Sequence, residues 1–307
     1  MGRADRLVAH AERMRLDAAS VELLDALRSV AIGACLLKGP ATVRWLYSGD
    51  DARTYTDCDV LVAPNGQRRA AAILEQLGYE RAFDDRRLPD WWREHASTWF
   101  RARDGATVDL HRTIAGVGVD DSVAWSVLAE QIVPLPLAGG VVPALREPAR
   151  ALQLVLHAAH HGAAAAGPHA DLQRALGACS LATWRAASAL ADALDARDAL
   201  IVGLRTASGD GEFIADALGL PPVAAASARA HLQASSPPPG ALTLALLRAT
   251  PGVRPRLRIA ARKLVPPRGF IEHWDPRAKG SLPGLVRAYA RRPLWVTATA
   301  WRAWRGR

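Results

Sequence analysis

Two aspartates one residue apart, inside a short apolar run, constrain this chain more than any other feature of its sequence. Asp57 and Asp59 lie in the run T-D-C-D-V-L-V, residues 56–62. Valine, leucine, threonine and cysteine around the carboxylates favour a β-strand, on which residues two apart project from the same face. Like charges so close repel and are costly to bury without partners, and hard divalent cations prefer carboxylate oxygens. The run therefore predicts a metal site on a strand.

A third carboxylate, Asp109, lies in the similar run T-V-D-L-H, residues 107–111. The pair Asp104-Gly105 precedes this run and favours a type I′ turn between two antiparallel strands, residues 99–103 and 107–112. His111 shares the face of Asp109 by alternation. Two interpretations of His111 stay open, a residue on the ligand side of the site and a hydrogen-bonded structural histidine.

The first half of the chain alternates between helical and extended apolar patterns, which predicts a small mixed sheet with helices packed against it. The predicted elements begin with two short helices within residues 3–30, for which Asp17 or Ser20 is a possible N-cap. A buried strand over 31–37 follows and stops at Lys38-Gly39-Pro40, and a helix begins at Pro40. The strand with Asp57 and Asp59, a helix over 67–77, a strand from Tyr79 and the hairpin complete this half.

The second half lacks comparable strand signals and is rich in alanine and leucine at helical spacing. We predict helices over residues 143–156, 171–194, 196–205 and 242–248, a loop at S-S-P-P-P-G (235–240), and a C-terminal helix over 285–304 interrupted at Pro293. The fold class is α+β. The predicted division is N-terminal helices (1–30), a mixed-sheet core (31–142), a helical domain (143–235) and a basic helical extension (236–307).

Composition sets the outer bounds. The chain has 307 residues, 50% of them hydrophobic and 22% charged, which is typical of a soluble globular protein. Cys35, Cys58 and Cys179 match neither a disulfide framework nor a metal-binding spacing, and this favours a reducing cytoplasm. The charged N-terminus does not resemble a secretory signal, and no apolar run reaches the ~18 residues of a spanning helix.

The formal net charge of +9 predicts attraction to anions, and the excess of basic residues is concentrated in residues 254–307. Three interpretations of this basic tail stay open. It is a solvated helix that closes on the domain, a nucleic-acid or peptide contact, or a membrane-surface helix with Trp295, Trp301 and Trp304 at the interface.

The motifs together, in this order, resemble the polymerase-β-like nucleotidyltransferase superfamily, and within it a branch of largely uncharacterised bacterial nucleotidyltransferases. The resemblance covers about residues 20–190. The residues that carry it are L-L-K-G (36–39), Arg53, D-C-D-V-L-V (57–62), L-G-Y (77–79), V-D-L-H (108–111), His157, His161, H-A-D-L (169–172) and Trp184.

This resemblance implies that the chain has a nucleotidyltransferase core, that it is an enzyme, and that each matching residue has a role in the site. Asp57, Asp59 and Asp109 would be the catalytic carboxylates and would bind Mg²⁺ (or Mn²⁺) in a two-metal arrangement, with His111 as a possible second-layer residue. Nucleotide phosphates would be bound by Lys38, Gly39, Arg53 and Thr42. The superfamily carries a Gly-Ser pair where this chain has Lys38-Gly39-Pro40, and Thr42 is the nearest hydroxyl.

The leading hypothesis is therefore an Mg²⁺-dependent enzyme that transfers a nucleotidyl group from an NTP such as ATP to a hydroxyl or phosphate of a small molecule or peptide. One alternative keeps the site but uses another donor, such as a nucleotide sugar. Another is a non-catalytic binding partner in a toxin–antitoxin or peptide-modification system, and a nucleic-acid binder rests on charge alone. His157 and His161 are interpreted as helix packing or cleft lining rather than a zinc site.

Overall fold

The computed structural model describes residues 3–47, 53–82, 95–162, 165–207, 209–223, 247–248, 251–266, 268–278 and 280–305. The predicted loop at 235–240 and most of the predicted helix at 242–248 lie outside these residues. The aromatic side chains of Trp91, Trp92 and Trp99 predict positions in the core or in a cleft wall, and Trp91 and Trp92 also lie outside these residues. Trp99 is buried in the core.

A single mixed sheet organises the fold and confirms the predicted α+β class. Its seven strands have the spatial order β3-β4-β5-β2-β1-β7-β6. Their bounds are β1 Ala34–Leu36, β2 Cys58–Val62, β3 Glu80–Arg81, β4 Ala96–Arg101, β5 Ala106–His111, β6 Ile132–Leu137 and β7 Gly140–Leu145. The central strand β2 is antiparallel to β1 and parallel to β5.

Helices cover both faces of the sheet. In the first half they are α1 Arg3–Ser29, α2 Pro40–Leu46, α3 Gln67–Gln76 and α4 Asp121–Ala129, and in the second half α5 Glu147–His161, α6 Ala166–Ala178, α7 Leu181–Ala193, α8 Arg197–Thr206 and α9 Asp210–Ala217. One apolar core lies between the sheet and helices α1 and α3, and a second lies between the opposite face and helices α5 to α9. Alternation along β2 therefore sends Val60 into the first core and Leu61 into the second.

The N-terminal region is one helix, so the prediction of two short helices within 3–30 was wrong. Leu16, Leu23 and Leu27 form a continuous buried stripe across the predicted break. The two residues that suggested an N-cap make other contacts. Asp17 accepts hydrogen bonds from Arg44 and Tyr55, and the Ser20 hydroxyl donates to the Leu16 carbonyl. Tertiary partners thus replace the capping role inferred from local sequence.

The hairpin β6–β7 was not predicted, and the helix expected from residue 143 begins only at Glu147. Prolines and glycines hid the strand signal, because Pro134 and Pro143 face each other across the hairpin. Strand β7 also pairs with β1, where Ala144 lies opposite Leu36. This strand runs through the domain boundary predicted between residues 142 and 143.

The turn between β4 and β5 is longer than predicted. Strand pairing ends at Arg101 and Ala106, so four residues form the loop. Of these only Gly105 has a positive φ, which rules out the type I′ turn expected at Asp104-Gly105. The Asp104 carboxylate instead binds the Arg101 guanidinium and accepts a hydrogen bond from the Ala106 amide. The longer loop shifts the register by two residues and places Thr98 opposite Asp109.

The C-terminal region contains helices α10 Val253–Leu264, α11 Arg268–Trp274 and α12 Leu282–Arg305. Helix α12 continues through Pro293, so the predicted interruption was wrong. A proline removes a single backbone hydrogen bond, and a helix with a packed inner face can lose one without ending.

Among the described residues, none of the helices combines the length and the apolarity needed to cross a membrane.

Candidate active site

Two aspartates meet side by side where the parallel strands β2 and β5 run together. Asp59 is directly opposite Asp109, and Leu61 is opposite His111, two residues further along. Alternation turns Asp59, Asp109 and His111 to the same face of the sheet, towards α5. A ligand atom from each of these three side chains lies within 4.8 Å of the other two. Among the described residues this is the group that could hold a metal ion.

Asp59 is the buried centre of the site, with a relative exposure of only 1%. One oxygen, Oδ1, lies 2.9 Å from the Lys38 ammonium and 2.8 Å from Nε2 of His111. Burial opposes ionisation of Asp59, but the hydrogen bond from His111 and the charge of Lys38 outweigh it and hold the pKa well below its usual value. The carboxylate of Asp59 therefore already forms an ion pair with the Lys38 ammonium.

Asp57 differs from Asp59 although it is only two residues away. It lies just before β2 and is half-buried. Burial raises the pKa of Asp57 to about 6, the charge of Asp59 adds to the increase, and Lys38 opposes it. The structure does not bring Asp57 into the group of Asp59, Asp109 and His111. The Asp59 carboxylate is therefore firmly ionised, whereas ionisation of the neighbouring Asp57 costs free energy.

Asp109 is oriented by the shifted hairpin register. The Thr98 hydroxyl donates a 2.6 Å hydrogen bond to Oδ1 of Asp109. Two carboxylates and an imidazole within reach of one ion form a donor set that could hold a divalent cation. The carboxylate oxygens of Asp59 and Asp109 fit a metal ion, and the Lys38 ammonium pairs with one of the two oxygens of Asp59.

The turn at Lys38-Gly39 carries Lys38 to the site. Gly39 has φ 62° and ψ −110°, a conformation that residues with a side chain rarely adopt. A Cβ on Gly39 would lie 3.3 Å from the carbonyl oxygen of Asp57. Helix α2 then begins at Pro40, as predicted, and Thr42 is buried within it. Glycine at position 39 therefore lets the turn pass against the strand segment that carries the aspartates.

Replacing Gly39 by alanine is expected to destabilise the protein by about 2–3 kcal/mol, because strain and the approach to Asp57 add together. Gly139→Ala is the matched control. Gly139 also has a positive φ, but nothing lies within 4 Å of its added Cβ, so the cost should be about 1 kcal/mol. Urea unfolding of both variants measures the difference, and equal losses would contradict the close approach at Gly39.

Arg53 makes an ion pair with the helical half of the chain. Its Nε lies 2.8 Å from Oδ1 of Asp171 on α6, and the Tyr47 hydroxyl donates to the same oxygen at 2.6 Å. The Arg174 guanidinium lies 4.3 Å from the centroid of the Tyr47 ring. The sequence predicts that Asp171 and Arg174 form a helical surface or an interdomain contact rather than a catalytic pair, and in the structure Asp171 is buried. The network joins the segment before β2 to α6.

Replacing Asp171 by alanine is expected to lower the free energy of unfolding by about 2 kcal/mol, because Arg53 and Tyr47 would both lose a buried partner. Asp192→Ala serves as the control. Asp192 forms an exposed pair with Arg197, for which a loss below about 0.5 kcal/mol is typical. Chemical denaturation of both variants tests this, and a loss at Asp171 no larger than at Asp192 would be the contrary result.

Histidines extend from the carboxylates towards α5. His95 lies 5.5 Å from His111 and 5.2 Å from His160 between ring centroids, and His157 lies 4.4 Å from His161. Burial lowers the pKa of His95 to about 3 and that of His157 to about 2. These neutral rings line the space beside the carboxylates, consistent with cleft lining. The sequence reasoning did not single out His95, since only the true register places its neighbour Ala96 opposite His111.

Residues 3–208, more than half of the chain, match the family described as uncharacterised nucleotidyltransferase, and the chain belongs to that family. The protein is thus a nucleotidyltransferase enzyme, and the resemblance seen in the sequence is confirmed at the level of the family. No curated protein matches the chain.

Solved structures of two nucleotidyltransferase-type proteins are similar to the chain. The lincosamide antibiotic adenylyltransferase LnuA, in its lincomycin-bound structure, is 13% identical with a TM-score of 0.36, over 52% of this chain and 94% of that one. An antigenic nucleotidyltransferase-like protein from Paracoccidioides brasiliensis is 16% identical with a TM-score of 0.35, over 59% of this chain and 93% of that one. The family assignment rests on the sequence match rather than on these neighbours.

Proposed function

We propose that the protein catalyses Mg²⁺-dependent transfer of a nucleotidyl group from an NTP to a hydroxyl or phosphate of a small molecule or peptide. The observation that carries this proposal is the register of Asp59 and Asp109 on neighbouring parallel strands, with Lys38 against Asp59. Carboxylates with this spacing, on a rigid sheet, form a pre-organised cation site that needs no loop movement.

Each residue of the site has a proposed part. Asp57, Asp59 and Asp109 hold the divalent cations, Mg²⁺ or Mn²⁺, in a two-metal site. Bound there, the ions would supply positive charge to the oxygens of the transferred phosphoryl group. Lys38 neutralises phosphate charge beside them, and Gly39 keeps the turn close to Asp57. Burial and the charge of Asp59 raise the pKa of Asp57 to about 6, so above that pH Asp57 carries a charge that a bound cation would offset.

In this proposal Asp109 accepts a proton from the acceptor hydroxyl, and the hydrogen bond by which Thr98 orients one of its oxygens supports this role. His111 keeps Asp59 ionised through the 2.8 Å contact at Nε2. Neutral imidazoles beside the carboxylates add no charge that would compete with a cation.

We also propose that the helical domain, residues 143–235, shapes the acceptor side of the cleft. The Arg53–Asp171 pair supports this, because it connects the segment leading to Asp57 with α6. Arg53 and Arg174, held by Asp171 and Tyr47, would then face the nucleotide or the acceptor. The free thiols of Cys35, Cys58 and Cys179 agree with the reducing cytoplasm that we propose as the location.

Thermal unfolding with a panel of NTPs, with and without MgCl₂, tests the proposal. The cognate nucleotide is expected to raise Tm only when Mg²⁺ is present, since ligand binding to the native state stabilises it. The Asp57→Asn/Asp59→Asn double variant should show no such increase. If the double variant bound the Mg²⁺–NTP complex as tightly as the parent, the assignment of the site would be wrong.

The same screen includes nucleotide sugars, because a different activated donor would use the same carboxylates. Mass spectrometry of the modified acceptor separates the two chemistries, since a nucleoside monophosphate adds a different mass from a hexose. A product that carries a nucleoside monophosphate is expected. A hexose adduct would overturn the proposed donor while leaving the metal site in place.

A further inference from the structure

The net positive charge of the chain comes from its C-terminal end. Residues 251–307 contain 14 lysines and arginines but only two acidic residues, Glu272 and Asp275, and therefore carry a formal charge of +12. Since the whole chain carries +9, residues 1–250 carry −3. The candidate active site lies in the acidic part. The proposed binding of nucleotide phosphates therefore leaves the basic charge of the C-terminal region unexplained.

Among the described residues, helix α12 packs one of its faces against its neighbours in this region. Ala288 is fully buried in a small apolar cluster with Ile271 of α11 and Ala278, and Leu285 and Tyr289 pack against the same cluster. These residues lie on the inner face of the helix and hold α12 against α11. The opposite face points away from this cluster.

The outer face of α12 is apolar rather than polar. Leu282, Val286 and Leu294 are exposed to 73%, 63% and 71%. At 100° per residue these three side chains fall within an arc of roughly 120° along the helix. Three large aliphatic side chains in one exposed stripe are unusual on a protein surface and mark a contact site.

Arginines border this stripe. Arg287 and Arg291 are exposed and lie beside it on one flank of α12. Helix α10 also has exposed aliphatic side chains beside an arginine. Val253 and Leu257 lie one turn apart and are exposed to 70% and 63%, and the neighbouring Arg254 is exposed as well. Two helices of this region therefore combine exposed aliphatic side chains with adjacent arginines.

We propose that helices α10 and α12 bind the surface of an anionic lipid bilayer. Arginines would contact the lipid phosphates while Leu282, Val286 and Leu294 enter the boundary between headgroups and acyl chains. A nucleic acid would satisfy the arginines but offers nothing to the aliphatic stripe. A second copy of the chain would bring +12 against +12, so electrostatic repulsion opposes self-association through this face.

Sedimentation of the full chain with vesicles tests the proposal. The protein is expected to bind vesicles of phosphatidylcholine containing about 30% phosphatidylserine, and to bind pure phosphatidylcholine at least about tenfold more weakly. Raising the salt concentration should weaken binding, because the arginine contacts are exposed and therefore screened. A random-sequence single-stranded RNA, titrated under the same conditions, provides the competing class of partner.

The triple variant Leu282→Gln/Val286→Gln/Leu294→Gln keeps the charge and removes the stripe, and is expected to lower the partition coefficient at least about tenfold. The matched control carries Val123→Gln, Val141→Gln and Phe213→Gln, which are exposed apolar residues outside this region. It should bind vesicles as the parent does. An independent charge variant, Arg254→Gln/Arg287→Gln, should also bind more weakly and less dependently on salt.

Three outcomes would overturn the proposal. One is the absence of binding to the anionic vesicles. Another is a triple variant that binds them as well as the parent, because charge alone would then explain the contact. The third is binding to RNA that exceeds binding to vesicles and does not change in the triple variant, which would assign the basic region to nucleic acid instead.

Discussion

Replacing Asp59 by asparagine is expected to reduce nucleotidyl transfer at least about a thousandfold. Asp59 is the buried carboxylate on which Lys38 and His111 converge, and it stands in register with Asp109. Asparagine keeps the size of the side chain and removes the charge that would hold a divalent cation. Steady-state kcat/KM at fixed Mg²⁺ measures the loss, and Asp192→Asn, a change in an exposed ion pair, is the control.

The same substitution should destabilise the metal-free protein by about 2 kcal/mol, because Lys38 loses its buried partner. The pKa of Asp59 is lowered in the folded protein, so its contribution to stability is present above the unfolded pKa near 4 and is lost as the pH falls below it. Urea unfolding at neutral and acidic pH measures this. An Asp59→Asn variant with parental activity would remove Asp59 from the proposed metal site.

Replacing Asp57 by asparagine is expected to have the opposite effect on stability, a gain of about 1–2 kcal/mol at neutral pH without metal. The pKa of Asp57 is raised from 3.8 to about 6 by burial and by the charge of Asp59. The favourable contribution of the protonated form is complete below pH 4 and is lost as the pH rises through 6. Above that pH the native state of the parent bears a costly charge, which asparagine removes.

Urea unfolding in EDTA, at about pH 5 and about pH 7.5, measures the gain, which should be clearly larger at the higher pH. Activity should fall in the same variant, because the costly charge is the one proposed to hold a cation. Saturating Mg²⁺ should narrow the stability difference, since a bound cation offsets the repulsion in the parent alone. A gain of equal size at both pH values would show that the charge of Asp57 is not its cause.

A loss of stability in Asp59→Asn and a gain in Asp57→Asn would show that the two aspartates of this short run have different roles. Asp59 is satisfied within the protein by Lys38 and His111, whereas Asp57 carries a charge that its surroundings do not compensate. A site that retains such a charge gives up stability in exchange for affinity for a cation. The metal-free fold and the proposed activity thus place different demands on the same strand.

Local patterns were enough to predict the elements that surround the site. The strand of Asp59, the turn at Gly39, helix α2 from Pro40 and the helix over 67–77 all follow from residue preferences that act within a few positions. The long helix α1 and the hairpin β6–β7 did not follow. Helix α1 is held together by a buried stripe, and β7 is held by pairing with β1, which is distant in the sequence.

What the sequence determined by itself was the class of fold, the family motifs and the face of the strand on which Asp59 lies, whereas Asp57 lies before β2 and outside the group of Asp59, Asp109 and His111. Alternation on a strand is a local rule, and therefore Asp59 could be assigned to one face without knowledge of its neighbours. Only the tertiary structure decided which strands pair and in what register. It shows the hydrogen bond from Thr98 to Asp109, the ion pair of Arg53 with Asp171, and the contact of the His95 ring with the His111 ring. Such contacts depend on loop length and on packing between distant segments, which residue preferences do not encode.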